Sequence, residues 1–311
     1  MLEKITYRSK FDRSLQPAYI CRAEGETSRP LLVALHTWSY SCEADCSVFY
    51  DLCKERNWNM IFPDFRGPNC TPEACGSDLV VSDLEDAVEY MCSECSADRS
   101  AVYLVGGSGG GHCALLLAGR RPDLWTAVSS WCPISDIALW HQQSKLRNSG
   151  YAEHIESACG GDPAESETAL REARLRSPLT WLKNAAGRLP VDISTGIHDG
   201  HTGSVPVGQA IRAFNTLAAE NDRISEDDIA FIEETESVPE HLKAKEQDPA
   251  FGSRTIHLRK TSGMVRLTLF EGGHEAFPAV AAEWLARQTA GAPADWTPGK
   301  TVSGFMGELS K

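Results

Sequence analysis

The hydrophobic positions of this chain fall into short continuous runs that are separated by stretches with a helical repeat. Six runs are rich in apolar and β-branched residues and end in glycine, proline or polar turns: 30–36, 59–65, 101–107, 125–131, 189–198 and 264–273. Runs of this length predict strands that are buried on both faces of a sheet. Two earlier runs, ITYRS and AYICRAE, are separated by polar residues and predict an antiparallel pair at a sheet edge.

Helical patterns lie between the predicted strands, at residues 46–57, 82–94, 110–122, 207–221 and 276–288. Strands that alternate with helices at this pitch predict an α/β protein with a mostly parallel central sheet, covered by helices on both faces. Ser82 and Ser225 each precede acidic residues and are predicted helix N-caps.

Two stretches interrupt this alternation. Residues 133–188 follow the sixth predicted strand and are expected to form a cap-like insertion, and residues 220–262, acidic and then basic, are expected to form a helical insertion. Residues 288–311 read as a loop-like tail. Because α/β domains with large sheets often exceed 250 residues and no internal repeat is visible, we expect a single domain over residues 1–311.

Composition narrows the classes of partner. Charged residues make up 23% of the chain and the hydrophobic set 42%, as in an ordinary globular protein. The net charge of −13 argues against nucleic acid and against an anionic membrane surface as partners, because both require clustered lysine and arginine. The N-terminus lacks the apolar stretch of a secretory signal, so a cytoplasmic protein is expected unless a signal has been removed.

The eleven cysteines cannot all pair within one chain, because their number is odd. Cys42-x3-Cys46 and Cys92-x2-Cys95 resemble halves of zinc sites, but no histidine or cysteine pair follows at a matching distance. We expect mostly reduced thiols that act as small hydrophobic residues. One or two disulfides in the first half of the chain are the alternative. No metal and no cofactor are expected.

The segment VYLVGGSGGGHC places a lone serine, Ser108, among five glycines. Residues 106–110 fit the pattern G-x-S-x-G between a predicted strand and a predicted helix, which is the context of a nucleophilic serine. The strained backbone of such a nucleophile requires small neighbours, and the N–H of Gly109 at the start of the helix is free to bind an oxyanion. A packing turn and a phosphate-binding loop are alternatives, although His112 stands where such a loop carries lysine.

A serine nucleophile needs a base and an acid from the same fold. In a sheet of this topology they follow later strands in the order serine, acid, histidine, and Asp199 and His274 satisfy both order and placement. His198, His201 and Asp192 are their rivals.

The loop after residues 30–36 is expected to supply a second oxyanion donor. The backbone N–H of Trp38 is the first candidate for this donor and that of Thr37 is the second.

With these residues the chain resembles the α/β-hydrolase superfamily, and within it the catalytic domains of prolyl oligopeptidase-like and acetyl-xylan-esterase-like enzymes. The resemblance rests on PDFRGPN, VYLVGGSGGGHCALLLAGRRPDLWTAVSS, RSPLTWL, GIHDGHTGSVPV and EGGHEAF. It implies the α/β-hydrolase fold and a catalytic triad of Ser108, Asp199 and His274, with oxyanion donors from Gly109 and the loop after His36. Thr37 stands where glycine is common, and the long separation of Asp199 from His274 marks 220–262 as inserted.

The substrate is expected to be a small ester. Peptide-cleaving relatives look like this domain with a β-propeller in front, and the absence of a propeller before residue 30 favours a stand-alone esterase. Aromatic residues predict a pocket for sugar rings or aryl groups, with ordinary packing as the alternative: Trp38, Tyr40, Trp131, Trp140 and Trp181.

We therefore expect a serine carboxylesterase that hydrolyses a small acyl ester of acetyl type on a small molecule or a carbohydrate. A propeller-free serine peptidase or acyl-peptide hydrolase is the alternative within the same mechanism. A non-catalytic binding protein on the same fold is the alternative outside it. Homo-oligomerisation is left open.

Overall fold

This computed structural model describes residues 1–245 and 247–301. Within that part of the chain, nine strands form one sheet. The strands are β1 Leu2–Arg8, β2 Leu15–Cys21, β3 Arg29–Leu35, β4 Asn59–Pro63, β5 Ala97–Gly107, β6 Ala127–Trp131, β7 Val191–Gly196, β8 Ile256–Ser262 and β9 Val265–Phe270.

The sheet has the strand order β1-β2-β4-β3-β5-β6-β7-β9-β8. Neighbouring strands from β4 across to β9 pair in parallel, whereas β1, β2 and β8 are joined to the sheet by antiparallel pairing. The predicted mostly parallel sheet is therefore confirmed, and so is the antiparallel pair at its N-terminal edge. In such a sheet the residues that follow β3, β5, β7 and β9 all emerge at one edge.

The prediction of a helical insertion over 220–262 is wrong for its last part, because residues 256–262 form β8. The side chains of Ile256 and Leu258 are buried, and the strand turns back at Gly263, whose φ is 55°, to pair with β9. Three basic residues in this short strand obscured its alternation. The other described elements of the insertion are the helix α9 and three short 3-10 turns.

Ten α-helices surround the sheet in the described residues: α1 Ser47–Arg56, α2 Asp78–Glu94, α3 Gly109–Arg120, α4 Ile137–Leu146, α5 Tyr151–Cys159, α6 Glu167–Arg176, α7 Pro178–Trp181, α8 Gly208–Leu217, α9 Glu226–Thr235 and α10 Pro278–Leu285. The N-cap of α2 is Ser77, whose side chain accepts a hydrogen bond from the N–H of Val80, so the prediction of Ser82 is wrong by one and a half turns. Ser225 caps α9 as predicted.

Both faces of the sheet are packed. Along β3, Leu31, Val33 and Leu35 point into a core that is covered by α2, α3 and α8. Leu32 and Ala34 point to the opposite core, which is covered by α1 and α10. Burial on both faces explains why the central strands read as continuous apolar runs.

The predicted cap region, residues 133–188, contains α4 to α7. Part of it packs in a third apolar cluster that includes Trp38, Trp140 and Ile155. The cap therefore lies against the loop after β3, which carries Trp38.

The described part of the C-terminal tail, 288–301, packs back on α10 through Trp296, and 302–311 lie outside the described residues. All eleven cysteines are free thiols, and eight of them are buried. Among the described residues, no helix combines the length and the apolarity that a membrane crossing requires.

Candidate active site

Ser108 lies in the sharp turn between β5 and α3, with φ 55° and ψ −119°. This conformation is costly for a residue with a side chain and is held by the surrounding structure. A Cβ on Gly106 would lie 2.3 Å from the carbonyl oxygen of Gly110, and a Cβ on Gly110 would lie 2.7 Å from that of Leu35. The glycines are therefore required by the close approach of β5, α3 and β3. Ser108 itself is 7% exposed.

Gly109 lies directly against the backbone of Trp38. A Cβ on Gly109 would be 2.4 Å from Cα and 2.5 Å from N of Trp38. Gly109 is the first residue of α3, where N–H groups have no acceptor within the helix. The two backbone N–H groups that the sequence suggests as oxyanion donors thus come from adjacent segments beside Ser108.

Asp199 and His274 form a hydrogen bond of 2.7 Å between Oδ2 and Nδ1. Asp199 follows β7, is 1% exposed, and accepts a further hydrogen bond of 3.2 Å from the N–H of Val205 at Oδ1. A Cβ on Gly203 would lie 2.3 Å from Oδ1 of Asp199 and 2.5 Å from Cβ of His274. The contact that orients the imidazole is therefore buried and tightly enclosed.

Ser108 and His274 line one pocket of about 670 Å³. Its walls come from the loop after β3, from the end of α4 and the start of α5, and from the loops after β7 and β9. The residues that line it are Thr37, Trp38, Ser39, Tyr40, Ser108, Ser144, Arg147, Ser149, Tyr151, His198, Thr202, Gly203, Ser204, Gly272, Gly273, His274 and Glu275. A volume of this size suits a small-molecule substrate.

Burial of the imidazole would lower the pKa of His274, but the charge of Asp199 and its hydrogen bond outweigh burial. The net effect holds the pKa of His274 well above its ordinary value of 6.5. The pair thus stabilises the positive form of the imidazole, which is the form that a general base adopts after it accepts a proton.

Cys132 is a further residue at this site that the sequence did not single out. It follows β6 with φ 45°, and its Sγ lies within 4.8 Å of the ligand atoms of Asp199 and His274. The thiol donates to the carbonyl oxygen of Glu275 at 3.1 Å, which ties the end of β6 to the loop that carries His274. The feature that marks Cys132 is its left-handed backbone, which is unusual for a residue other than glycine. A backbone angle cannot be read from the sequence.

The rival residues make other contacts. His198 is held between Glu236 at 2.7 Å and Glu271 at 2.9 Å, and Nε2 of His201 bonds the carbonyl oxygen of Glu233 at 2.7 Å.

Asp192, the second residue of β7, accepts a hydrogen bond from Arg266 at 2.8 Å. His112 is buried in α3, and burial lowers its pKa to about 4. Neither Asp192 nor His112 is among the residues that line the pocket.

The five aromatic residues predicted to bind substrate separate into two groups. Trp38 and Tyr40 line the pocket, although only Tyr40 has a substantially exposed side chain. Trp131 and Trp140 are each 1% exposed and pack among other aromatic rings, and Trp181 lies under Arg120 on the far side of α3. The structure does not bring these three tryptophans to the pocket of Ser108.

Within residues 1–245 and 247–301, two groups of side chains have the composition of a metal site. In the first, Cys132 lies beside Asp199 and His274, but burial raises the pKa of the thiol and so disfavours the thiolate that binds metals.

In the second group, the two ring nitrogens of His141 face different carboxylates, Glu156 at 2.8 Å and Asp162 at 3.7 Å, and Lys145 binds Asp162. Because no single nitrogen faces both acids, this group fits an ion-paired cluster better than a metal site.

Comparison with known proteins agrees with the fold. The sequence model of the prolyl oligopeptidase family matches residues 77–231. No curated protein matches the sequence. Among solved structures, the acylaminoacyl peptidase of Pyrococcus horikoshii superposes with a TM-score of 0.56 at 17% identity, over 70% of this chain and 34% of that protein.

Two further solved structures show the same likeness. Oligopeptidase B from Leishmania major has a TM-score of 0.55 at 14% identity, over 76% of this chain and 35% of its own. Prolyl oligopeptidase B from Galerina marginata has a TM-score of 0.56 at 16% identity, over 70% of this chain and 31% of its own. This chain thus spans about a third of the length of these proteins.

Sheet order, the strained serine turn and these matches together define a serine hydrolase with the α/β-hydrolase fold. Within that superfamily, the chain resembles the prolyl oligopeptidase family over residues 77–231.

Proposed function

We propose that this serine hydrolase is a carboxylesterase that removes a small acyl group, of acetyl type, from a small or carbohydrate-like alcohol. The observation that carries the proposal is the shared pocket: Ser108 in its strained turn and His274, bonded to Asp199, line one cavity of about 670 Å³. Cap residues close one side of this cavity, and hydroxyl groups of Ser39, Ser149, Thr202, Ser204 and Tyr40 line it. A small polar ester matches that size and chemistry.

In the proposed mechanism, Oγ of Ser108 attacks the ester carbonyl carbon while Nε2 of His274 takes the hydroxyl proton. Asp199 holds the imidazole in the required tautomer and stabilises its positive form. The N–H groups of Gly109 and Trp38 bind the oxyanion of the tetrahedral intermediate. Collapse of the intermediate releases the alcohol, which receives the proton from His274.

The acyl group is then attached to Ser108 as an ester. A water molecule gives its proton to Nε2 of His274 and attacks the acyl carbon, which forms a second tetrahedral intermediate at the same donors. Its collapse returns the proton to Ser108 and releases the acid. No step requires a group other than these residues and water.

The experiment is hydrolysis of 4-nitrophenyl acetate, together with labelling by a fluorophosphonate. We expect the wild-type chain to hydrolyse the ester and to be labelled, and Ser108→Ala to lose several orders of magnitude in kcat and all labelling. Ser204→Ala, which removes a hydroxyl from the same pocket, is the matched control and retains labelling. Turnover by Ser108→Ala at the wild-type rate would overturn the assignment of the nucleophile.

A serine peptidase is the second candidate, and the match to the prolyl oligopeptidase family favours it. An amine leaving group needs more protonation by the imidazole than an alcohol does, so the two activities separate on matched substrates. We expect kcat/KM for 4-nitrophenyl acetate to exceed that for aminoacyl 4-nitroanilides by orders of magnitude. The reverse preference would establish the peptidase.

A further inference from the structure

We propose that Arg147 binds a carboxylate group of the substrate, so that the enzyme prefers esters that carry a negative charge beside the scissile bond. This inference rests on the proposed function and adds the class of substrate. The residue comes from the cap and lies outside every motif of the sequence analysis.

The guanidinium of Arg147 lies at the wall of the pocket that Ser108 and His274 line. Arg147 is the residue that ends α4. A Cβ on Gly200 would lie 3.3 Å from its Nη2, and Gly200 directly follows Asp199 with φ 98°. The cationic group of the cap is thus placed beside the turn that carries the candidate acid.

The other charged groups around the pocket have partners of their own. Glu275 is paired with Arg254 at 2.6 Å, and His198 lies between Glu236 and Glu271.

In the described part of the chain, the Arg147 side chain forms no ion pair and no hydrogen bond, and it is exposed to the solvent in the pocket. A chain of net charge −13 therefore presents at this pocket a guanidinium that has no ion-pair partner among the described residues.

A planar guanidinium offers parallel N–H groups that match the two oxygens of a carboxylate. The neighbouring hydroxyls of Ser149 and Thr202 complete a polar wall for such a group. Substrate binding removes water from the pocket, which strengthens the attraction between the two charges. A charge-assisted pair of this kind changes kcat/KM by about ten- to a hundredfold.

Matched substrates that differ in one group test the inference. On the alcohol side, 3-acetoxybenzoate is compared with 3-acetoxybenzamide; on the acyl side, the 4-nitrophenyl ester of succinate is compared with that of succinamic acid. The quantity measured is the ratio of kcat/KM for the carboxylate to that for its carboxamide. We expect this ratio to be about ten or more for at least one of the two pairs. The pair that shows it identifies whether the carboxylate is bound on the alcohol side or on the acyl side of the ester.

In Arg147→Gln the ratio should fall to about one. In Arg147→Lys it should keep an intermediate value, because the positive charge remains while the parallel N–H groups of the guanidinium are lost. Arg171→Gln changes an exposed arginine of α6, away from the pocket, and should leave the ratio at its wild-type value. Raising the ionic strength about tenfold should also reduce the wild-type ratio, because salt screens exposed charges.

The outcomes separate this inference from the proposed function. If the carboxamide esters are hydrolysed but both wild-type ratios are near one, or if Arg147→Gln keeps a high ratio, the role of Arg147 is refuted while the esterase stands. If none of the four esters is hydrolysed, the proposed function itself fails. A ratio that falls to about one in Arg147→Gln but keeps its wild-type value in Arg171→Gln supports the inference.

Discussion

A single hydrogen bond, from Nδ1 of His274 to Asp199, determines how the candidate base titrates. Only the neutral imidazole accepts the proton of Ser108, and the carboxylate holds the pKa of His274 well above 6.5. We therefore expect the acid limb of kcat/KM for 4-nitrophenyl acetate to have its midpoint above 6.5, with activity lost as pH falls through it. Measurement of the profile across neutral and alkaline pH checks this.

The variant Asp199→Asn supplies the comparison for that profile. Without the carboxylate, only the smaller contribution of Cys132 opposes the effect of burial on the imidazole, so the midpoint of the residual activity should move to lower pH. His241→Gln changes an exposed imidazole on the second insertion and should leave the midpoint where it is. A wild-type midpoint below 6.5 would contradict the coupling of Asp199 with His274.

The residues proposed from the sequence are those with a local signature. Ser108 lies in a glycine pattern, and Asp199 and His274 each follow an apolar run, so chain order together with placement after a strand selected them as candidates over their rivals. Arg147 and Cys132 have no such pattern: one depends on how the cap folds over the sheet, and the other on a backbone angle. Tertiary placement of this kind is not encoded in short stretches of sequence.

The aromatic residues show that composition can also predict pocket residues that the structure places elsewhere. Trp140 and Trp181 were predicted in the pocket because their segment belongs to the cap. The structure buries Trp140 against Trp38, with ring centroids 4.7 Å apart, and stacks Trp181 under Arg120. A tryptophan that fills a core and one that lines a pocket have the same sequence neighbourhood, so composition could not separate them.

At the level of elements, the contact between the start of α3 and the loop after β3 sets the geometry of the candidate oxyanion donors. Gly109 and Trp38 are so close that a methyl group on Gly109 would overlap the backbone of residue 38. We expect Gly109→Ala to push this loop away and to lower kcat for 4-nitrophenyl acetate about a hundredfold or more. Overpacking should also lower the free energy of unfolding by about 1–3 kcal/mol in urea titrations.

Gly150→Ala is the matched control for this substitution. A Cβ on Gly150 meets no atom within 4 Å, and its φ of −60° is ordinary for alanine. Its free energy of unfolding should be equal to that of the wild type or slightly higher. If kcat of Gly109→Ala equalled that of the wild type, the donor role of this contact would be refuted.

Strands and helices were predictable where burial and periodicity agree. The central strands β3 to β7 and β9 are buried over most of their length because both faces of the sheet are covered. The helices α1, α3, α8 and α10 match their predicted stretches to within a few residues. β8 was missed because it is an edge strand with one buried face and a basic solvent face. The start of α2 was predicted at the wrong serine because Ser77 and Ser82 can both act as an N-cap. Only the folded structure distinguishes between them.

At the scale of the whole molecule, the second insertion is linked to the candidate site through ion pairs. Glu236, after α9, binds His198 beside Asp199, and His198 also binds Glu271 in the loop that leads to His274. His257 on β8 binds the other oxygen of Glu271 at 2.7 Å. This insertion therefore supports both loops that carry the candidate acid and the candidate base.

The described part of the C-terminal tail stabilises the side of the sheet where β8 and β9 meet. Trp296 stacks on Trp284 of α10 with centroids 5.4 Å apart and planes 5° apart, and it donates to the carbonyl oxygen of Gly263 in the β8–β9 turn at 3.0 Å. The guanidinium of Arg266 on β9 lies 5.0 Å from its ring centroid. One half-buried side chain thus joins tail, helix and sheet.

We expect Trp296→Ala to lower the free energy of unfolding by about 1–3 kcal/mol, because it removes the stack, the cation–π contact and the hydrogen bond together. Trp296→Phe keeps a ring without the donor and should lose less. Phe11→Ala, at a side chain that is 61% exposed, is the control and should change the free energy by less than about 0.5 kcal/mol. Because Trp296 does not line the pocket of Ser108, kcat should persist in both tryptophan variants at temperatures where they remain folded. Equal urea midpoints for Trp296→Ala and the wild type would show that the contacts of Trp296 do not stabilise the fold.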